Sequence, residues 1–214
     1  MLASALAATA LAVPPALSSS LAPDPTPLHR AGVDIVDPAD LGRLQAGDVV
    51  FLSAPRALWA RLASQWSLPK YNHGHVGMVV IGRDGQPMVI HAAGDPTRSH
   101  ATVRAVSLAK FLEEAETAAV FRMKDRAAAP AAAAAAAGFA RRRIPFDTDF
   151  SLKSRDRLYC SEMIWRAMSA ALHRDVVPRK YSDYGRLTIR LSDLETSADL
   201  TLVARATAAG TAPL

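Results

Sequence analysis

Cys160 is the only cysteine in the 214-residue chain, so no intramolecular disulfide can hold the fold together. Whatever the chain folds into must rest on buried apolar surface, and with half of its residues apolar it carries enough for one core but not for two ordinary domains. The sequence therefore reads as a leader over residues 1–22, a Pro-rich linker over 23–40, one domain over 41–206 and a flexible tail over 207–214. The leader holds no charged side chain and stays apolar and small up to Ser18-Ser19-Ser20, the pattern of a cleaved secretory signal. No Lys or Arg precedes the apolar run and Pro14-Pro15 interrupts it; a permanent membrane anchor is the weaker alternative. Export to a periplasmic or envelope location is the resulting expectation.

The balance of 25 Lys and Arg against 20 Asp and Glu gives a formal charge of +5 and a pI near 9.7. This excess is modest and spread along the chain. It suits association with an anionic envelope or membrane surface. Nucleic-acid binding is not expected, because no basic run is interleaved with aromatics and only three Trp, four Tyr and six Phe are available for stacking.

Periodicity places the elements. Gly47-Asp48 leads into Val49-Val50-Phe51-Leu52, a turn followed by a strand. Pro55 to Trp66 carries Leu58, Trp59, Leu62 and Trp66 at helical spacing. His75 to Ile81 and Met88 to His91 flank Gly82-Arg83-Asp84-Gly85 and predict a hairpin. Leu108 to Glu116 predicts a short helix, Ala119 to Met123 a strand, and the alanine-rich stretch Ala127 to Arg143 a helix with basic residues at its end. Met163, Ile164, Met168 and Leu172 place Cys160 at or just before a helix N-terminus, and Leu200 to Ala206 predicts a last strand.

A thiol attacks carbonyls as thiolate, and the unpaired N–H groups of a helix N-terminus favour that charge. Cys160 is thus the candidate nucleophile. Its own N–H is the first oxyanion donor, with the neighbouring Tyr159 and Ser161 shaping the same cleft. A base must come from a histidine. His29 lies in the linker, His100 in a polar loop and His173 at a helix end, so His73, His75 and His91 around the hairpin remain. A five-residue loop centred on Arg83 would set His75 directly opposite His91 on one face. A two-residue Asp84-Gly85 turn would point the two rings to opposite faces. The residues alone leave both registers open.

Five stretches together resemble one known family. Leu44-Gln45-Ala46-Gly47-Asp48-Val49-Val50-Phe51, His75-Val76-Gly77-Met78-Val79, Val89-Ile90-His91-Ala92, Pro145-Phe146-Asp147 with Phe150, and Tyr159-Cys160-Ser161-Glu162-Met163 look like the circularly permuted branch of the NlpC/P60 superfamily, the YiiX/YaeF-like papain-fold amidases. The resemblance implies an α+β fold with an antiparallel sheet packed by helices. It also implies Cys160 as nucleophile, His75 as base, a polar third residue at His91, and no cofactor or metal. Relatives often carry glutamate where this chain has His91, and a histidine stabilises an imidazolium less well than a carboxylate does. Asp147 and Phe150 fall in the matched motif and are candidates, with Arg157, for contact with substrate. The implied substrate is a small peptide, an N-acyl compound or a lipid-like acyl donor.

Two readings from other classes compete. His73, His75, His91 and Cys160 could supply four zinc-type ligands, and the same fold could serve as a non-catalytic binding protein. Glu162 and Asp48 have ordinary explanations, a helix dipole and a turn.

Overall fold

The computed structural model describes residues 36–53, 66–92, 101–113, 115–183 and 185–208. The leader, most of the linker, His29, His100 and all but the end of the helix expected over Pro55 to Trp66 lie outside the described residues.

A six-stranded sheet is the scaffold. Its strands are β1 (Val49–Ser53), β2 (His75–Ile81), β3 (Pro87–Ala92), β4 (Val103–Ser107), β5 (Thr117–Met123) and β8 (Leu200–Thr207), in the spatial order β4-β3-β2-β1-β5-β8. Every neighbouring pair is antiparallel. The central strand β1 is buried on both faces, which is why its sequence runs continuously apolar instead of alternating. A two-stranded ribbon, β6 (Tyr181–Asp183) with β7 (Arg186–Thr188), stands apart from the sheet.

Helices cover both faces. One face, carrying Phe51, Val76, Met78, Ile90 and Phe121, packs under α2 (Ala129–Arg141) and α3 (Cys160–Leu172). The alanines of α2 serve this packing: Ala132 and Ala136 are fully buried, and their small side chains let the helix lie close to the sheet and to α3. The opposite face, with Val50, Leu52, Val79, Val89 and Val120, is closed by α1 (Leu108–Leu112) and by a short 3-10 turn over Pro38–Leu41. A final short helix, α4 (Leu191–Glu195), precedes β8.

The packed unit extends beyond the boundaries expected from sequence. Val36 is fully buried and donates its N–H to Ala115 O at 3.3 Å, so the end of the linker belongs to the core. Ala208 is also buried and donates its N–H to Glu116 O at 2.8 Å, docking the start of the expected tail.

The hairpin adopts neither register considered from sequence. Ile81 pairs with Pro87 and Met78 with Ile90, and Gly82 N–H donates to Gln86 O at 2.8 Å. The loop is therefore three residues, Arg83 to Gly85, with Gly85 at φ 78°, where only glycine sits without strain. Continued one step, this ladder sets Gly77 rather than His75 opposite His91. His75 and His91 still share a face, as diagonal neighbours instead of direct partners.

Candidate active site

Cys160 is the first residue of α3, with Tyr159 in extended conformation at φ −97° capping it. The thiol is buried, and N–H groups of Ser161, Val76 and Cys160 itself point at its sulfur. Burial nevertheless dominates and pushes the thiol up to about 11. The resting group is a neutral thiol, and the donors around it are of the kind that would stabilise negative charge on the sulfur.

The two histidines meet. His75 Nε2 and His91 Nδ1 lie 2.9 Å apart, and the rings stand edge to face at 5.2 Å. Gly77 makes this diagonal contact accessible: a Cβ there would lie 2.4 Å from Val89 Cγ1 and 3.1 Å from Phe111 Cζ. Phe111 fills the space instead, with its ring 5.5 Å from His75 and 5.3 Å from His91. Burial lowers His75 to about 4, with the Arg104 guanidinium adding to the effect; His91 falls well below its usual value for the same first reason. Both rings are neutral near pH 7.

The hydrogen bond occupies Nε2 of His75 and leaves Nδ1 outside this contact. With His75 carrying its proton on Nε2, His91 accepts on Nδ1 and keeps a proton on its own Nε2, a buried atom with no partner. His75 and His91 belong to the face closed by Phe111 and α1, whereas Cys160 packs from the α2 and α3 side. The two halves adjoin at the start of β2, where the Val76 N–H next to His75 meets the sulfur. Among the described residues no hydrogen bond joins the thiol to either ring in this resting arrangement, and apo sites often tighten only around substrate.

The remaining candidates divide. Tyr159 does not aim its hydroxyl at the thiol: it lies 2.9 Å from Thr188 Oγ1 and accepts the Ile189 N–H at 2.6 Å, tying α3 to the end of β7. Ser161 donates its hydroxyl to Ile189 O at 2.7 Å, and both that hydroxyl and its N–H lie toward the sulfur. Asp147 is fully buried and turned into its own loop, accepting from Asp149 N at 3.0 Å, Ser151 N at 3.3 Å and Ser154 Oγ at 2.5 Å. Its carboxylate shapes the segment that leads into Cys160. Phe150 adopts φ 49°, a strained value for a bulky residue, and sets its ring against Trp66, Phe146 and Tyr159 at 5.0, 5.7 and 5.4 Å. Arg157 stands 3.5 Å from Asp149 on the rim of a depression of about 410 Å³ that Lys153 and Arg186 also line.

Glu162 is more unusual than a dipole residue. Arg166 donates to its Oε1 at 2.7 Å, yet Oε2 is buried without a partner, and burial outweighs the guanidinium to raise the carboxyl to about 7. Asp48 fixes its turn by accepting Gln45 N–H at 2.8 Å, and it also holds Arg122 through both oxygens. Sequence reasoning did not foresee the partner that gives His73 a structural role. Its Nδ1 meets Glu195 Oε1 at 2.9 Å, and Glu195 also accepts from Ser67 Oγ and Leu68 N, clamping α4 to the segment before β2. His73 and His75 thus turn to different partners, and among the described residues no three His, Cys, Asp or Glu side chains gather as a metal would require.

The sequence matches the family described as permuted papain-like amidase enzyme, YaeF/YiiX, C92 family, over residues 43–202. The chain belongs to this family. The C92 member is accordingly a cysteine hydrolase of the permuted papain-like amidase type, and the matched span takes in His75, His91 and Cys160. Its fold is similar to the crystal structure of metalloprotein YiiX from Escherichia coli O157:H7, at 24% identity and a TM-score of 0.60, over 75% of this chain and 96% of that one. A comparison with curated proteins finds no match.

Proposed function

We propose that this C92 member cleaves an amide bond of a small cell-envelope peptide or N-acyl compound through an acyl-thioester on Cys160. The sulfur attacks the carbonyl carbon as His75 Nδ1 takes the thiol proton, and N–H groups of Cys160 and Ser161 receive the oxyanion. Collapse expels the amine, which takes the proton from His75, and leaves the thioester. Water, deprotonated by the same nitrogen, then releases the acid and restores the thiol. The reading is supported above all by the position of the buried sulfur at the start of α3 against the Val76 N–H, one residue from a histidine whose other nitrogen His91 holds. Phe150, Trp66 and Phe146 offer an apolar wall beside it.

A thiol at about 11 and an imidazole at about 4 mean that the two groups do not rest as a preformed thiolate and imidazolium. Proton transfer accompanies attack. The same chemistry with an alcohol in place of water would be acyl transfer, and the apolar wall favours that as the second reading if the acyl group is a lipid. Export is proposed from the apolar, uncharged leader alone.

The test is mass spectrometry of Cys160 after incubation with envelope extract, comparing the wild type with His75→Ala. An acyl adduct in the first and none in the second is expected, and its mass identifies the acyl group. A Cys160 that acquires no adduct from any extract, and does not react with thiol-directed acyl probes, overturns the proposal.

A further inference from the structure

We infer that Arg104 is an anion-recognition residue of this site, and that the acyl compounds processed at Cys160 carry a negatively charged group, carboxylate or phosphate, that docks against it. The inference rests on the hydrolase reading and narrows its substrate class.

Arg104 is the direct cross-strand partner of His91 on the edge strand β4, so its side chain leaves the sheet on the same face as both imidazoles. It is exposed, and no hydrogen bond or ion pair engages its guanidinium among the described residues. Two better-buried cations are matched by carboxylates, Arg122 by Asp48 and Arg166 by Glu162. Among the described residues no carboxylate takes that part around the imidazole pair. β1 offers Leu52 opposite His75, α1 offers Phe111, and the neighbouring Lys110 is spent on Glu113. On the Cys160 side the group is a neutral thiol.

An unmatched guanidinium beside a general base opposes the reaction, because His75 must become positive when it accepts the thiol proton. An anion brought by the substrate reverses this. It partners Arg104, removes the repulsion and favours the imidazolium as the bond forms. A glutamate at position 91 would serve Arg104 and His75 together. The neutral His91, more than nine-tenths buried with Nε2 unpartnered, cannot. The strands β4 and β2 lie two spacings apart, roughly 10 Å between axes. The long arginine side chain spans part of that distance, which suits a charge a few bonds from the scissile carbonyl, as in a glutaryl group.

The experiment compares kcat/KM for 4-nitrophenyl esters of glutarate and of methyl glutarate, alike in length and different in charge. The wild type is expected to prefer the charged ester by about tenfold or more. Arg104→Gln, at an exposed edge position, should keep the fold and lose the preference, and Arg104→Glu should invert it. A preference unchanged in Arg104→Gln overturns the inference. A second arm needs no turnover: NMR titration of His75 in Cys160→Ala protein, with glutarate, inorganic phosphate or chloride added. Saturable elevation of the His75 pKa by glutarate or phosphate, absent when Arg104→Gln is added, supports the inference and says which anion is read. Equal effects of all three anions, or none, overturn it. Turnover with no dependence on Arg104 leaves the hydrolase standing and removes the anion site. A titration shift without any turnover does the reverse.

Discussion

His75 illustrates how one side chain takes its chemistry from neighbours. Burial removes water that would stabilise the imidazolium, Arg104 adds repulsion, and His91 supplies an acceptor without a charge. The active form has a neutral imidazole and a thiol, so kcat/KM should fall only as pH drops toward about 4 or rises toward about 11, with a flat plateau between 5.5 and 9.5 in a stopped-flow pH profile. A bell centred near pH 6 would contradict these environments. Replacing His91→Glu should raise the His75 pKa, move the acid limb upward and increase kcat/KM with neutral substrates severalfold, because the carboxylate stabilises the imidazolium. Sequence reading singled out Cys160, His75 and His91 as candidates, since a lone thiol before a helix and a histidine-bearing hairpin are local signals. It could not orient the Tyr159 hydroxyl, whose partners Thr188 and Ile189 lie about thirty positions away.

At the level of elements, the β2–β3 hairpin carries the decisive geometry. The strands were legible from their apolar runs, but the loop was not: Asp84-Gly85 suits a two-residue turn, whereas Asp84 Oδ1 instead accepts Gln86 N–H at 3.0 Å and completes a three-residue loop. Because that shift keeps the parity of the five-residue alternative, the histidines remain on one face. Gly77 then becomes the position on which their contact depends. Gly77→Ala should destabilise the protein by about 1–3 kcal/mol in urea denaturation through overpacking against Val89 and Phe111. It should also lower kcat more than it raises KM, since the methyl group intrudes where the two rings and Phe111 converge. The β4 strand was missed because Val103–Ser107 is short and only partly buried, and the β6–β7 ribbon because three-residue strands leave no periodicity to read.

Across the whole molecule, the buried ionisable groups pull stability in opposite directions with pH. The folded His75 titrates near 4 and unfolded histidine near 6.5, so the unfolded chain binds more protons in that window and stability is lost as pH falls through it. His75 alone contributes on the order of 3 kcal/mol at the acid end, and His91 acts in the same sense. Glu162, raised from 4.5 to about 7, acts the other way and loses stability as pH rises between those values. Melting temperature should therefore fall from pH 6.5 to pH 4. Glu162→Gln should steepen that fall by removing the opposing group, and a melting temperature flat across the range in both proteins would contradict the assignment.

Val36 and Ala208 fasten to adjacent residues, Ala115 and Glu116, so the two extremities of the packed unit come to rest side by side. Where the backbone begins is then almost a matter of indifference to the architecture. A short glycine bridge between those extremities, with a fresh opening cut at Arg83 to Gly85, should yield a re-threaded protein with the parent's circular dichroism spectrum, its nucleophile and base exchanging order along the chain while keeping their places in space.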